Sequence, residues 1–83
     1  MKKKPIEGVF FAQPRQLNII ADFRSDGTLF MSFRNGGIWF EWQIVQGRII
    51  ACRTSGKYKG EEVVFIVKGD ELFLNDIRFQ KQE

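Results

Sequence analysis

The stretch Thr28–Ile44, TLFMSFRNGGIWFEWQI, reads as two β-strands joined by a tight turn at Asn35-Gly36. Asn-Gly is the strongest short-range hairpin signal, because a type I′ turn needs positive φ at both central residues. Side chains alternate with period two, so a slip by one residue would mix the two faces of the hairpin. With Asn35 and Gly36 as the loop, one face is wholly apolar. It pairs Phe33 with Ile38, Met31 with Phe40, and Leu29 with Trp42.

The opposite face of this hairpin is unusual because it carries two aromatic side chains, Phe30 and Trp39. In this register Ser32 lies opposite Trp39, and Phe30 lies opposite Glu41, so the two aromatic residues are diagonal neighbours. Diagonal neighbours in an antiparallel pair are within reach of large side chains. We therefore expect Phe30 and Trp39 to contact each other on the outside of the sheet.

The segments on either side extend the hairpin into an antiparallel meander. Leu17–Arg24 reads as a strand with one wholly apolar face and leads into a loop at Ser25–Gly27, which pairs Phe23 with Leu29. The same reasoning predicts further strands at 6–12, 62–68 and 71–79. A turn at Gln46-Gly47 pairs Ile44 with Ile49 and Trp42 with Ala51. A polar loop is expected at 55–61, a turn at Gly69-Asp70, and a bulge or strand end near Asn75-Asp76.

These features predict an all-β fold, a small antiparallel meander barrel of six to seven strands. The 83 residues fit one domain, which we place at residues 6–83 after a flexible basic N-terminus at residues 1–5. A meander of this size usually curls and closes, because closure removes its exposed strand edges. The interior is predicted to contain Leu17, Ile19, Ala21, Phe23, Leu29, Met31, Phe33, Ile38, Phe40, Trp42, Ile44, Ile49, Ala51, Val63, Phe65, Val67, Leu72 and Leu74.

Three segments of this layout resemble the small lipocalin-like domains of the calycin group. They are FRSDGTLFM (Phe23–Met31), WQIVQGRII (Trp42–Ile50) and IVKGDELFL (Ile66–Leu74). The likeness lies in a strand, a DGT turn and a second strand, followed by a Trp-x-Ile strand and a closing Leu-x-Leu strand. It covers about two thirds of the chain. The resemblance implies a lipocalin-like barrel and brings no catalytic residues with it.

The composition argues against catalysis. The chain has no histidine, which is the commonest general base and metal ligand. Its one cysteine, Cys52, would need a base partner or a lowered pKa to act as a nucleophile, and the neighbouring Arg53 points to the opposite face of a strand. The carboxylates near the predicted loops read as solvated turn residues. We therefore predict a protein that is not an enzyme and uses no metal or other cofactor.

Charge and cysteine content suggest where the protein works. It has 13 basic and 10 acidic residues, and three of the basic residues lie in the short segment Lys2–Lys4, so the remainder is near neutral. One cysteine cannot form an intramolecular disulfide, which fits a reducing compartment. The N-terminus lacks the apolar run of a signal peptide, and no stretch reaches the ~18 apolar residues of a membrane span. We predict a cytoplasmic protein that does not enter the membrane.

The outer face of the predicted barrel carries more apolar residues than solvent exposure alone requires. A contiguous exposed apolar patch marks an interaction surface. One interpretation is an interface; the other is a second core, covered by the first strand together with Ile77 and Phe79. The residues predicted to face outward are Ile20, Phe30, Trp39, Val45, Ile50, Cys52, Val64, Ile66 and Phe73.

We therefore expect a non-enzymatic protein-binding module. It would be a small inhibitor or accessory protein, of the kind that phages and plasmids make against host defence, and its partner would be another protein, a second copy, or both. Aromatic and Arg residues dominate such interfaces, so Phe30 and Trp39 are the predicted anchors. Further partner-binding residues are Arg34 and Glu41 at the rim, with Ile50 and Ile20 on the same face.

Two other functions remain open from the sequence. Aromatic and basic side chains on a β-surface can stack and neutralise single-stranded nucleic acid. The barrel could also carry a small hydrophobic ligand, although bulky interior residues such as Phe33 and Phe40 leave little room for one. The candidate nucleic-acid-binding residues are Arg34, Arg48, Lys57, Tyr58 and Lys59.

Overall fold

A computed structural model describes residues 6–81 as a closed antiparallel barrel of eight strands. Each strand pairs with the next along the chain, and the last pairs with the first. The predicted all-β meander barrel is confirmed, with eight strands instead of six to seven. The predicted flexible segment 1–5 lies outside the described residues. The strands are β1 (Gly8–Gln13), β2 (Ile20–Phe23), β3 (Thr28–Phe33), β4 (Gly36–Val45), β5 (Arg48–Arg53), β6 (Glu62–Lys68), β7 (Glu71–Leu74) and β8 (Ile77–Lys81).

The additional strand comes from residues 71–79, which the sequence predicted as one strand with a break. At that break the chain reverses, so that Leu74 pairs with Ile77. Asn75 has φ 57°, a left-handed conformation that asparagine tolerates better than most residues. Near the other end of the chain, the predicted strand 17–24 is shorter than expected. Arg15–Leu17 forms a 3-10 turn, and the left-handed Asn18, with φ 57°, separates it from β2.

The hairpin between β3 and β4 has a different register from the predicted one. Phe33 pairs with Gly36, so the two-residue turn is Arg34-Asn35 instead of Asn35-Gly36. Neither turn residue has positive φ, which rules out a type I′ turn here. Because the shift is two residues, each side chain keeps its predicted face. Phe30 therefore lies directly opposite Trp39, where the predicted register made them diagonal neighbours.

The reason for this register lies in Gly37. The Phe30 ring lies across the backbone of Gly37, and a Cβ atom added at that position would overlap the ring. The observed register gives Phe30 a neighbour without a side chain and places its ring against Trp39. Packing of the outer aromatic side chains has therefore prevailed over the local preference of Asn-Gly for a type I′ turn.

The two flanking hairpins have the predicted registers. Phe23 pairs with Leu29 around the Ser25–Gly27 loop. Ile44 pairs with Ile49 around Gln46-Gly47. In this second turn both central residues have positive φ, 50° at Gln46 and 77° at Gly47, so the positive-φ pair expected at Asn35-Gly36 occurs here instead.

The Ser25–Gly27 loop is held by the carboxylate of Asp26. Its Oδ1 accepts hydrogen bonds from the Thr28 hydroxyl at 2.6 Å and from the Thr28 backbone N–H at 3.0 Å. These two bonds favour the ionised form, and they hold the pKa of Asp26 below its ordinary value. The ionised carboxylate therefore stabilises the turn that aligns β2 with β3.

Phenylalanine rings fill the barrel interior. Phe23 lies between Phe10 and Phe65, with ring centroids 5.7 Å and 5.5 Å away, and Phe65 contacts Phe79 at 5.7 Å. All three contacts are edge-on, which is a favourable arrangement of aromatic quadrupoles. Trp42 closes one end of the core, since its ring meets Phe23 at 5.4 Å and its Nε1–H donates to the Thr28 carbonyl at 2.9 Å. The interior is therefore a packed core.

Three residues predicted inside the barrel are exposed at its ends, namely Leu17, Phe33 and Ile44. Strand alternation indicates which face a side chain occupies, but it does not indicate how far along the barrel the core extends. The sequence also missed interior residues of the first and last strands. These are Phe10, Ala12 and Phe79, all buried.

Candidate protein-binding surface

No strand within residues 6–81 covers the outer face of the barrel. The alternative in which the first strand, Ile77 and Phe79 cover that face is not what the structure has, because β1 and β8 are both part of the barrel wall. Phe79 is fully buried in the interior, and Ile77 packs against the same core. The strands and Phe79 of residues 6–81 therefore leave the outward apolar side chains uncovered.

The first apolar region of this face is the aromatic surface, which we define as Phe30, Trp39 and Arg24. The Phe30 and Trp39 rings lie 4.7 Å apart, with their planes tilted by 47°. The Arg24 guanidinium carbon lies 5.3 Å from the centre of the Trp39 ring, within the range of a cation–π interaction. Asp22 orients that guanidinium through an Nε–Oδ2 contact of 3.5 Å. Trp39 nevertheless remains 39% exposed.

The backbone of Trp39 is held on the side away from Phe30. The Thr54 backbone N–H donates to the Trp39 carbonyl at 3.2 Å, and the Thr54 hydroxyl donates to the same oxygen at 3.4 Å. Thr54 begins the loop that joins β5 to β6. Trp39 is therefore fixed to β3 through the strand ladder and to this loop through Thr54, so its exposed ring projects from an ordered backbone.

The structure brings some of the predicted partner-binding residues together and separates others. Phe30 and Trp39 are in contact, and Glu41 follows two residues along β4 on the same face. Arg34 lies in the turn at the tip of the same hairpin and is exposed. Ile20 is half-buried on β2 and pairs with Ser32, two residues along the strands from the Asp22–Phe30 pair.

Ile50 belongs to a second region, which we call the aliphatic surface. A row of polar or small side chains lies between the two regions, formed by Thr28, Glu41, Cys52 and Glu62 on four neighbouring strands. Beyond this row Ile50 pairs with Val64. The aliphatic surface consists of Ile50, Val64, Ile66 and Phe73.

Sequence reasoning placed Asp22 beside Phe30 on the outer face but missed Arg24 as part of the aromatic surface. A signal was present, because Asp22 and Arg24 alternate with Phe23, which points inward. The confirmed pairing of Asp22 with Phe30 puts both charged residues on the outer face beside the aromatic pair. The contact of Arg24 with Trp39 depends on the β3–β4 register, which the sequence did not predict correctly.

Of the candidate nucleic-acid-binding residues, Arg34 lies in the β3–β4 turn, and the other four are divided between the two ends of β5. Lys57, Tyr58 and Lys59 lie in the loop that follows this strand, whereas Arg48 is its first residue. Within the loop, the Tyr58 ring is contacted by two cations. The Arg53 guanidinium carbon lies 5.2 Å from its centre, and Lys57 Nζ lies 5.8 Å away.

Residues 6–81 include no cluster of three or more histidine, cysteine or acidic side chains that could hold a metal ion. Cys52 is a half-buried free thiol whose Sγ lies 3.8 Å from the Arg53 carbonyl oxygen. Nor does this part of the chain form a helix of the length and hydropathy needed to cross a membrane.

No protein family, curated protein or solved structure gives a significant match to the chain.

Proposed function

We propose that this protein is a non-enzymatic binding module that recognises another protein through its aromatic surface. The observation that carries the proposal is the exposed Trp39 ring, packed at 4.7 Å against Phe30 and covered in part by Arg24. Tryptophan and arginine are among the residues that contribute most to protein–protein affinity. Because these side chains already contact one another in the free protein, little further ordering is needed when a partner binds.

The rim of the aromatic surface carries charges of both signs, with Arg34 at the hairpin tip and Glu41 along β4. Mixed charges at a rim contribute to orientation and to the rate of association more than to affinity. A partner should therefore present an apolar pocket for Trp39 bordered by charges of both signs. A small inhibitor or accessory protein would work in this way, including the counter-defence inhibitors of phages and plasmids.

The architecture supports the same proposal. Eight antiparallel strands in up-and-down order match the strand count of lipocalin barrels, which supports the lipocalin-like resemblance. Lipocalins hold ligands inside the barrel, but here aromatic rings fill the interior, which favours recognition on the outside over carriage of a hydrophobic ligand. The single free thiol of Cys52 supports a cytoplasmic location as part of this proposal.

The proposal is tested by truncating one tryptophan and one tyrosine to alanine and comparing both variants with wild type. Tagged wild-type protein, Trp39→Ala and Tyr58→Ala are used to capture proteins from a lysate of the source cells, and the captured proteins are quantified by mass spectrometry. Tyr58 is the matched control, because it is an exposed aromatic residue (54%) in the β5–β6 loop instead of the aromatic surface. We expect a partner that wild type and Tyr58→Ala retain and Trp39→Ala loses.

The folds of the variants are checked by circular dichroism and thermal unfolding. Trp39→Ala should retain the wild-type far-ultraviolet spectrum, because the indole lies outside the barrel core. A properly folded Trp39→Ala that captures the same proteins in the same amounts as wild type would contradict the proposal.

Binding of single-stranded nucleic acid is a second candidate. Thr54 links the loop that carries Lys57 and Lys59 to the backbone of Trp39, so basic side chains and an exposed aromatic ring occur at the same end of the barrel. Stacking of bases on aromatic rings beside basic residues is a common mode of recognition. Binding of a fluorescent oligonucleotide should then weaken steeply with salt, because neutralised phosphates release counterions. Absence of binding at low salt would eliminate this candidate.

A further inference from the structure

The outward side chains of β6 follow a pattern with charge at both ends. In chain order they are Glu62, Val64, Ile66 and Lys68, an acid, two apolar residues and a base. Val64 and Ile66 are 40% and 38% exposed, which is high for aliphatic side chains on a strand. At about 3.3 Å per residue, the two charged positions lie roughly 20 Å apart, and the midpoint falls between the two apolar residues.

The neighbouring strands continue this apolar centre. On β5, Ile50 pairs with Val64, and on β7, Phe73 pairs with Ile66. The row of Glu62 continues across the sheet through Cys52 to Glu41. At the other end Lys68 pairs with Glu71, and Arg48 lies beside Ile66. The aliphatic surface therefore has an acidic border at Glu62 and Glu41, and Lys68 and Arg48 supply basic groups near its other end.

The charges at the two ends of β6 have no ionic partner in the part of the chain that the structure describes. No ion pair within residues 6–81 includes Glu62 or Lys68. The residue opposite Lys68 is Glu71, but its carboxylate contacts Arg78 at 3.7 Å and Gln80 at 2.7 Å. Lys68 instead lies with Nζ 5.8 Å from the centre of the Phe73 ring.

We propose that the aliphatic surface joins two copies of this chain in a two-fold symmetric dimer. A two-fold axis that runs in the plane of the interface, across the strands, and passes midway between Val64 and Ile66 would set β6 antiparallel to its copy. Glu62 would then face Lys68 of the partner subunit, and Val64 would face the partner's Ile66. Both contacts occur twice, as in every isologous interface.

The order of the charges is what selects a second copy over an unrelated partner. An acid–apolar–apolar–base sequence along a strand is complementary to itself when the strand direction is reversed. Face-to-face packing of two sheets at about 10 Å also lets aliphatic side chains from both sides interdigitate. This inference does not rest on the proposed function, because the aromatic surface lies on the other side of the polar row and remains exposed.

A charge exchange tests the dimer directly. Dimer dissociation constants are measured by analytical ultracentrifugation for wild type, Glu62→Lys, Lys68→Glu, and the double variant that carries both changes. Each single change places two like-charge contacts in the interface, so each should weaken dimerisation at least tenfold. The double variant exchanges the two charges and should restore dimerisation.

Mixing the two single variants gives the sharpest result. In a heterodimer of Glu62→Lys with Lys68→Glu, both cross-subunit contacts pair a lysine with a glutamate. We therefore expect a mixture of the two single variants to dimerise when neither does so alone. Val64→Glu should abolish all dimers, and Trp39→Ala should leave dimerisation unchanged, which separates this inference from the proposed function.

Several outcomes would overturn the dimer. A wild-type protein that remains monomeric up to about 1 mM would do so, because a weaker association supplies less than about 4 kcal/mol. Single variants that dimerise as well as wild type, or a mixture that stays monomeric, would reject this arrangement. A monomeric protein that loses a foreign protein partner on Val64→Glu would assign the aliphatic surface to that partner instead.

Discussion

Gly37 is the residue that decides how the aromatic surface is assembled. Its missing side chain lets the Phe30 ring lie across the β4 backbone and meet Trp39. The signal for this arrangement was present in the sequence as the second glycine after Asn35. Turn chemistry alone explains the first glycine better than the second, because a two-residue Asn-Gly loop leaves Gly37 without a role. The close approach of an aromatic ring supplies that role.

Gly37→Ala should destabilise the protein by about 1–3 kcal/mol, because the added methyl group must displace the Phe30 ring. The measurement is urea unfolding of Gly37→Ala in two backgrounds, wild type and Phe30→Ala. With the ring removed, the atoms nearest to the added methyl group are gone, so the same substitution should cost little. An equal cost in both backgrounds would show that the ring is not what Gly37 accommodates.

Asp26 makes stability depend on acid pH. Its pKa is lower in the folded protein than its ordinary value because the Thr28 hydroxyl and backbone N–H donate to the carboxylate. A group with a lowered folded pKa stabilises the protein above its unfolded pKa, and that stabilisation is lost as the pH falls through the folded pKa.

Asp26→Asn should therefore lower the melting temperature at neutral pH, and its difference from wild type should shrink as the pH falls through the folded pKa. Thermal unfolding followed across this acid range measures the difference. Thr28→Val serves as the control. It removes the hydroxyl that donates to Asp26, so the melting temperature of this variant should depend less on acid pH than that of wild type. A difference between Asp26→Asn and wild type that stays constant with pH would contradict the assignment.

At the scale of elements, the sequence predicts hairpins well where turn chemistry and strand alternation agree. The loop at Ser25–Gly27 and the turn at Gln46-Gly47 have the predicted registers. The β3–β4 hairpin does not, because long-range aromatic packing competes there with a strong local signal. Alternation still assigned the faces of Phe30 and Trp39 correctly, since a shift of two residues preserves side-chain direction.

The β3–β4 and β4–β5 turns should respond differently to exchanges between asparagine and glutamine. Gln46 has φ 50°, a left-handed conformation that asparagine adopts with less strain than glutamine. Gln46→Asn should therefore stabilise the protein by up to about 1 kcal/mol. Asn35 does not have positive φ, so Asn35→Gln should change stability little.

Chemical denaturation of both variants checks this contrast. The predicted order of midpoint concentrations is Gln46→Asn above wild type, with Asn35→Gln close to wild type. A marked loss of stability in Asn35→Gln, with no gain in Gln46→Asn, would support a type I′ turn at Asn35-Gly36 and contradict the observed register.

At the scale of the whole molecule, the barrel separates core residues from outward-facing apolar residues by face. Its interior is filled by phenylalanine rings, and its outer wall carries the aromatic and aliphatic surfaces on either side of a polar row. The sequence predicted an outward apolar face but not its division in two, because that division depends on pairing across four strands. It also could not predict the interaction of Arg24 with Trp39, which follows from the corrected register.

The two surfaces have a joint consequence if both proposals hold. A dimer formed through the aliphatic surface would leave the aromatic surface of each subunit free, so one dimer could hold two partner molecules or two sites of one symmetric partner. Two linked sites bind a symmetric partner more tightly than either site alone, provided that the geometry allows both to engage. Affinity for such a partner should then weaken in Val64→Glu even though the aromatic surface is intact.

The central claim is that Trp39 anchors a partner protein on the outside of a packed barrel. The most direct measurement is the dissociation constant of the purified partner for wild type, Trp39→Ala and Tyr58→Ala, determined by calorimetric titration. We predict that Trp39→Ala, folded as wild type is, weakens binding by at least about 30-fold, equivalent to about 2 kcal/mol, and that Tyr58→Ala binds as wild type does. Equal dissociation constants for wild type and Trp39→Ala would contradict the claim.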